Sequence, residues 1–323
     1  MKAVYVKEFG EADRLEIREV EKPTISEPDQ VLVNVKAAGL NRADLMQRKG
    51  FYPAPPGYPE RILGLEFAGE VSETGGAVKD FEIGDRVFGI TAGGGQAEFV
   101  LTREGELAKI PDSLNMEAAA AIPEAFITAH DAVWTQGNLR EGETLLIHAV
   151  GSGVGLAALQ IAKAHGNTVI GTSRTEEKLD ACKEFGLDIG INTTENQDFA
   201  SEIDIGADVI LDLVGASYFA GNLKCLSLKG RLILVGLVGG RKAEFDMGLA
   251  LGKRLHIIGT VLRARTPDEK AAATANFVRE VLPLIESGEI TPNLDSVFEA
   301  EEITKAHEYL ESNSSFGKVV LKF

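Results

Sequence analysis

The sequence predicts an α/β protein in which a doubly wound parallel sheet is inserted into a partly open β-barrel. Three observations carry this reading. Residues 144–158 run from a short apolar strand through a glycine-rich turn into a helix. Strand and helix patterns alternate from about residue 123 to 265, the signature of a parallel sheet with crossover helices. The flanking segments, 1–122 and 266–323, hold mostly short strands on one side and two helices with a closing strand on the other. The tail is therefore expected to return to the first domain, giving one domain of 1–122 plus 266–323 and a second, inserted domain of 123–265.

Taken in order, Ala3–Val6, Leu15–Val20 and Val31–Ala37 alternate or run apolar, with Pro23, Pro28 and Asp29 between them. Such runs bounded by turn residues read as strands. Ala68–Glu73, Asp85–Ile90 and Ala97–Leu101 form a second set, and short strands with few helices suggest a partly open barrel. The exception is Asn41–Gln47, a helical stretch followed by Gly50-Phe51-Tyr52-Pro53-Ala54-Pro55-Pro56-Gly57. Its prolines cannot donate to a ladder or continue a helix, so this segment is a stiffened loop.

The middle of the chain opens its sheet with Thr144–Ile147, continuous and apolar as a strand covered on both faces must be. Thr168–Thr172, Asp208–Asp212, Arg231–Val235 and His256–Thr260 are further strands, and Glu176–Phe185 is a helix. Beyond them the pattern predicts one long helix over Asp268–Glu286, another over Glu301–Glu311, and a closing strand at Lys318–Leu321.

Composition narrows the partners. The chain has 323 residues, 44% hydrophobic and 25% charged, with a formal net charge of −16. Nucleic acid and anionic membranes call for a basic surface, so neither is expected as a partner. No apolar run reaches the roughly 18 residues of a membrane span, and Met1–Lys7 is too short for a signal peptide core. A cytoplasmic location is the expectation. Cys182 and Cys225 are the only cysteines, not in a C-x-x-C, and read as small core side chains.

The turn itself reads His148-Ala149-Val150-Gly151-Ser152-Gly153-Val154-Gly155, and from Gly153 it follows Gly153-x-Gly155-x-x-Ala158. This is the alanine form of the dinucleotide fingerprint. Gly151, Ser152, Gly153, Val154 and Gly155 are thus candidates to hold a pyrophosphate, since a helix N-terminus presents unpaired N–H groups and positive potential to it. Ser152 also suits the N-cap of the following helix. About 20 residues past Gly153, an NAD protein would place an acid for the ribose hydroxyls. Here Thr172-Ser173-Arg174 stands there, with Lys178 one turn on. A hydroxyl and two cations suit the 2′-phosphate of NADP; a solvated helix start with Glu176 and Glu177 at its acidic end is the other reading.

Ala38-Gly39-Leu40-Asn41-Arg42-Ala43-Asp44-Leu45, Gly64-Leu65-Glu66-Phe67-Ala68-Gly69-Glu70-Val71, Ser152-Gly153-Val154-Gly155 and Ala119-Ala120-Ala121-Ile122-Pro123-Glu124-Ala125 occur in this order. In them, and over the whole chain, the sequence resembles the medium-chain dehydrogenase/reductase superfamily, within it the quinone oxidoreductases, and closest the p53-inducible type. The resemblance implies a Rossmann NADP-binding domain inserted in a GroES-like catalytic domain. Zinc-dependent relatives carry a cysteine where this chain has Asn41 and a histidine where it has Leu65, so no metal site is expected. None of His130, His148, His165, His256 and His307 pairs at i, i+4 with another histidine or a cysteine. The matching positions imply Tyr52 as the residue facing the nicotinamide, with Asn41 and Ser152 beside it in the catalytic set. Thr128 and Gly236-Leu237-Val238 would line the nicotinamide pocket, and Asn313 is counted with the cofactor contacts. Relatives often place a tyrosine where Thr193 stands, which leaves that adenosine contact open.

Tyr52 in a proline-rich loop also fits plain surface packing. Arg263 and Arg265 fit either an anion contact or solvated loop cations, and Asp44 and Glu66 read as structural hydrogen-bond acceptors. The activity implied is NADPH-dependent, zinc-independent reduction of quinones or related conjugated carbonyls. Such an extended acceptor can hold the added charge itself. An enoyl-thioester or 2-alkenal reductase with Tyr52 as proton donor is the alternative, followed by a non-catalytic NADPH-binding protein. Relatives commonly dimerise through the edge of the parallel sheet, so His256–Thr260 is expected to join two copies as a homodimer.

Overall fold

The computed structural model describes residues 1–196 and 198–323. It divides into two compact units, Met1–Ile127 with Leu262–Phe323, and Thr128–Val261. The first unit begins with β1 (Lys2–Val6), β2 (Leu15–Glu19) and the long β3 (Gln30–Leu40), then α1 (Arg42–Arg48). β4 (Glu66–Thr74), β5 (Arg86–Ile90), β6 (Phe99–Arg103) and β7 (Leu107–Lys109) follow, before α2 (Met116–Ala120) and α3 (Pro123–His130).

The second unit holds β8 (Thr144–Ile147), α4 (Gly153–Ala164), β9 (Thr168–Ser173), α5 (Glu176–Lys183) and β10 (Ile189–Asn192). It continues with β11 (Ala207–Asp212), α6 (Phe219–Cys225), β12 (Leu226–Leu234), α7 (Met247–Lys253) and β13 (His256–Gly259). The chain then returns to the first unit as α8 (Pro267–Glu280), α9 (Leu282–Glu286), β14 (Leu294–Glu299), α10 (Ile303–Glu311) and β15 (Lys318–Lys322).

The first unit is built on a seven-stranded sheet of order β14-β15-β3-β4-β5-β7, with β6 also pairing β3. β3 runs to Leu40, beyond the predicted end at Ala37, because its last residues pair with β15 while its first half pairs with β6. Val31, Val33, Val35, Phe67, Val71, Val87 and Val100 interlock inside it as the core. Removing such side chains from water drives the closure.

In the second unit six strands lie in the order β10-β9-β8-β11-β12-β13, all parallel. The order reverses at β8 and β11, and in such sheets ligands bind outside the strand ends at this reversal. β8 lies centrally, its Leu145, Leu146 and Ile147 fully buried, as the unbroken apolar run required.

The long helix predicted over Asp268–Glu286 is in fact two, α8 and α9, meeting at Val281. Pro283 is the reason: it has no N–H to donate to the preceding turn, and its ring crowds the carbonyl four residues back. α8 opens with a capping box, Thr266 and Glu269 bonding each other's backbone N–H, and Pro267 at its first position.

Candidate active site

The glycine-rich turn leaves β8 and enters α4 in a few residues. Ala149 adopts a left-handed backbone, φ 53°, which costs a residue with a Cβ roughly 1 kcal/mol. Gly155 packs so closely that a Cβ there would stand 2.6 Å from the carbonyl oxygens of Ala149 and Val150. Only glycine fits. Ser152 caps α4, its Oγ accepting from the Gly155 N–H at 3.2 Å, which leaves its own proton free to be donated. Gly151, Gly153 and Val154 lie in the same turn, at the N-terminus of a 12-residue helix.

At the end of β9, Ser173 is almost buried and its Oγ accepts from the Thr175 N–H at 3.3 Å. Arg174 is exposed beside it, and Lys178 lies in the first turns of α5. Thr193 is bonded here too: it donates to the Ser173 carbonyl at 3.2 Å and accepts from the Tyr218 hydroxyl at 2.8 Å. Tyr218, unremarked in the sequence, thus reaches Thr193 with its hydroxyl. Its ring packs edge-on to His148, 4.8 Å between centres.

His148 itself anchors the turn. It is fully buried and shares hydrogen bonds with Thr172 Oγ1 at 3.0 Å and Asn222 Oδ1 at 2.6 Å. Asn222 donates to Asp212 at 3.0 Å, and Asp212 also accepts from the N–H groups of Val214 and Gly215. Burial holds the His148 pKa down at about 4 and pushes Asp212 up to about 6. The network joins the ends of β8, β9 and β11 to α6. Gly236 follows β12, and a Cβ there would meet the Leu213 carbonyl at 2.4 Å; Leu237 and Val238 are exposed. Thr128 keeps a buried hydroxyl with no hydrogen-bond partner among the described residues.

An adenine dinucleotide fits these residues. The α4 N-terminus offers donors to a pyrophosphate, the end of β9 carries a hydroxyl at Ser173 and an exposed cation at Arg174, and the orphaned Thr128 hydroxyl calls for a partner.

The first unit gathers the other candidates. Arg263 is buried rather than solvated, and its guanidinium donates to Ala92 O at 2.8 Å, Tyr52 O at 3.1 Å and Gln47 Oε1 at 2.5 Å. The same group lies 4.8 Å from the centre of the Tyr52 ring. Tyr52 is half-buried, and burial raises the pKa of its phenol. At the other end of the loop, Lys270 donates to the Tyr58 hydroxyl at 2.9 Å and pairs with Glu106 at 2.6 Å, both charges buried.

Asn41 precedes α1. Its amide donates to Glu66 Oε1 at 2.8 Å and accepts from Lys318 Nζ at 2.8 Å. Lys318 also donates to Leu40 O and pairs with Glu66 Oε1. The other oxygen of Glu66 accepts the Glu124 N–H at 2.8 Å and so caps α3 from across the unit. Gly39 leaves the room for this carboxylate, since a Cβ there would stand 2.2 Å from Oε1. Asp44 is fully buried and accepts from the N–H groups of Asn41 and Gly64, at 2.8 and 3.1 Å. Burial pushes its pKa to about 6. Asp44 and Glu66 are thus structural acceptors.

Zinc does not fit this arrangement. An amide at Asn41 and the buried aliphatic Leu65 stand where zinc-dependent relatives carry cysteine and histidine, and Lys318 already occupies the nearby oxygens of Asn41 and Glu66 with a cation of its own. Asn313, counted with the cofactor contacts, lies in the first unit just past α10. Its amide accepts from Arg42 and donates to Glu311 O.

Sequence reasoning missed Glu124, Lys318 and Gln47. Lys318 opens a strand ahead of the apolar run Val319-Val320-Leu321, and a lysine at the edge of such a run reads as solvent-facing. The one available signal was Gly39, a glycine inside a strand, which marks a close approach.

Residues 27–112 match the family described as alcohol dehydrogenase GroES-like domain, and residues 153–279 the zinc-binding dehydrogenase family. A quinone oxidoreductase of Rattus norvegicus is 33% identical, covering 99% of this chain and 97% of its own length. A solved NAD-dependent alcohol dehydrogenase is 31% identical with a TM-score of 0.88, each chain covered in full. The Escherichia coli quinone oxidoreductase complexed with NADPH is 28% identical, again with a TM-score of 0.88 and full coverage of both chains. The chain belongs to the quinone oxidoreductase family of the medium-chain dehydrogenase/reductase superfamily and is an NAD(P)H-dependent oxidoreductase.

Proposed function

We propose that this protein is an NADPH-dependent, zinc-independent reductase of quinones or related conjugated carbonyls. The observation that supports the reading is the chemistry of the first unit: Arg263 holds the Tyr52 loop, and Asn41, which stands where zinc-dependent relatives carry a ligand, is bonded to Lys318 and Glu66. Without a Lewis acid, alcohol oxidation has nothing to hold an alkoxide. A conjugated acceptor needs less, because it spreads the charge it receives.

Bound NADPH would supply the hydride, and the chain's residues supply its place. Gly151, Ser152, Gly153, Val154 and Gly155 hold the pyrophosphate at α4. Ser173, Arg174 and Lys178 hold the 2′-phosphate, as charge-assisted contacts to a dianion do best. Thr128, Gly236, Leu237 and Val238 bound the nicotinamide, and Asn313 is assigned to the cofactor as well. Tyr52 orients the acceptor, and Asn41, bonded to the Lys318–Glu66 pair, completes the catalytic set with Ser152. One solved neighbour is named as NAD-dependent and another is complexed with NADPH, and the choice of NADPH is read from Ser173, Arg174 and Lys178. Two copies pair through β13. Among the described residues no helix is long and apolar enough to cross a membrane, and a cytoplasmic enzyme is proposed.

The test is steady-state NADPH oxidation against a panel of quinones, enones and enoyl thioesters, with and without chelator. Fastest turnover on a quinone, unchanged by chelator, supports the reading. Fastest turnover on an enoyl thioester transfers it to the alternative reductase, and loss of activity in chelator reopens the metal question.

A further inference from the structure

Lys318, Glu66 and Asn41 form a cluster in which nearly every polar hydrogen is spent. The ammonium of Lys318 is buried, and its three N–H bonds go to Leu40 O at 2.9 Å, Asn41 Oδ1 at 2.8 Å and Glu66 Oε1. Glu66 is fully buried too. Its Oε1 takes Lys318 and the Asn41 amide, and its Oε2 takes the Glu124 N–H. Neither charge reaches the surface. Asn41 differs, being the partly exposed member of the three. An amide carries two N–H bonds, and among the described residues only one of them finds an acceptor, Glu66 at 2.8 Å.

The two ends of that amide are not interchangeable. An ammonium can only donate and a carboxylate can only accept, so Lys318 requires the oxygen on its side and Glu66 the nitrogen on its own. Turned over, the amide would set N–H against ammonium and oxygen against carboxylate. The second N–H is therefore held in one direction, and the cation on Oδ1 draws electrons from it, which makes it a stronger donor. Asn41 leads α1, and Gln47 of the same helix, about 9 Å further at about 1.5 Å per residue, accepts from the Arg263 that holds Tyr52. One short helix thus fixes the free N–H relative to the tyrosine loop.

We propose that Lys318 is a positioning residue of the reaction: with Glu66 it locks the Asn41 amide so that the spare N–H meets the carbonyl oxygen of the acceptor. The inference rests on the reductase reading above, which supplies NADPH as the reductant. When hydride adds to the conjugated acceptor, the carbonyl π pair moves onto oxygen and leaves it negative. The N–H hydrogen-bonds that charge and keeps its proton; water gives the proton that completes the product. A fixed donor of this kind acts most where charge develops.

The test begins without cofactor. Menadione, isotope-labelled at its carbonyls, is bound to the protein and its carbonyl stretch read by infrared difference spectroscopy. The wild type should lower the stretch relative to apolar solvent, and Asn41→Ala, which leaves the Lys318–Glu66 pair in place, should abolish the shift. Lys318→Met combined with Glu66→Gln removes both charges together, so neither is left buried and unpaired; it should weaken and broaden the shift although Asn41 is intact. With cofactor and the best acceptor of the panel, kcat should fall about 100-fold in Asn41→Ala and at least about tenfold in the double variant, with little change in KM. No bound carbonyl band, the same band in wild type and Asn41→Ala, or a double variant with wild-type band and kcat overturns the proposal. Absence of turnover on every quinone and enone defeats the reductase reading itself, while the carbonyl shift still decides the contact.

Discussion

Arg263 holds Tyr52 twice, by a hydrogen bond to its carbonyl at 3.1 Å and by a guanidinium 4.8 Å from its ring centre. The backbone and the ring are therefore fixed by the protein, and only the hydroxyl is left to meet an acceptor. Tyr52→Phe keeps ring, clamp and packing. A lost hydrogen bond between neutral groups is worth about 0.5–1.5 kcal/mol, so kcat/KM on the best quinone should drop several-fold. A loss above about 100-fold on an enoyl thioester, the size expected for a missing general acid, would instead make Tyr52 the donor.

The cofactor preference should follow one side chain. Arg174 is exposed at the end of β9, free of the packing that would complicate its removal. Losing a charge-assisted contact costs about 1.5–3 kcal/mol, so Arg174→Ala should weaken NADPH roughly tenfold or more and leave NADH nearly unchanged. Equal losses for both cofactors in a binding titration would count against the 2′-phosphate site.

Acid should reach the nucleotide unit through His148. Its folded pKa of about 4 lies below the ordinary 6.5, so the unfolded chain takes up a proton first. The stability His148 contributes is complete above pH 6.5 and is lost as pH falls toward 4. Asp212, raised to about 6 on the same Asn222, works in the opposite sense: its contribution is complete below about pH 4 and is lost as pH rises through 6. The two partly cancel in wild type, and a comparison separates them. The Tm gap between wild type and His148→Gln should be widest at pH 7 and narrow steadily down to pH 4.5; a gap independent of pH would show that His148 does not titrate there.

The free side of β13 predicts assembly. Among the described residues this strand pairs only with β12 in its sheet, and Ile257 is exposed on it. In the same unit Met247 is 73% and Leu251 82% exposed, apolar side chains of α7 that water does not favour. An unpaired apolar edge invites a second copy related by a two-fold axis. Sedimentation at micromolar concentration should show twice 34.6 kDa, and Ile257→Lys should shift the protein toward monomer.

Much of this architecture was legible because periodicity reports burial. Val31, Val33 and Val35 alternate and face the barrel core, and Leu145–Ile147 run unbroken because β8 is covered on both sides. Ser152 could be read as a cap since a cap is a local bargain between a side chain and the next turn. Long-range pairings leave no such trace. Nothing around Lys318 announces Glu66, 252 residues away, and a lysine just ahead of the apolar run Val319–Leu321 reads as the exposed end of its strand. Arg263 shows the same limit: its acceptors lie 171 to 216 residues back, so the loop-cation reading was open until the fold closed it.

The pairing of Glu66 with Lys318 sets a timetable for biosynthesis. At about 5–20 residues per second, a ribosome reaches Lys318 roughly 13–50 seconds after it has made Glu66. Until then the carboxylate has no cation, Asn41 lacks one of its two partners, and residues 37–40 of β3 present an open edge that only β15 closes. The nucleotide unit can fold in that interval, being one continuous stretch of chain. The first unit cannot, and the nascent protein must keep its opening third from aggregating while it waits. A message truncated just before codon 318 would yield a finished nucleotide unit tethered to a barrel with an uncompensated buried charge, the kind of species that chaperones retain and proteases clear.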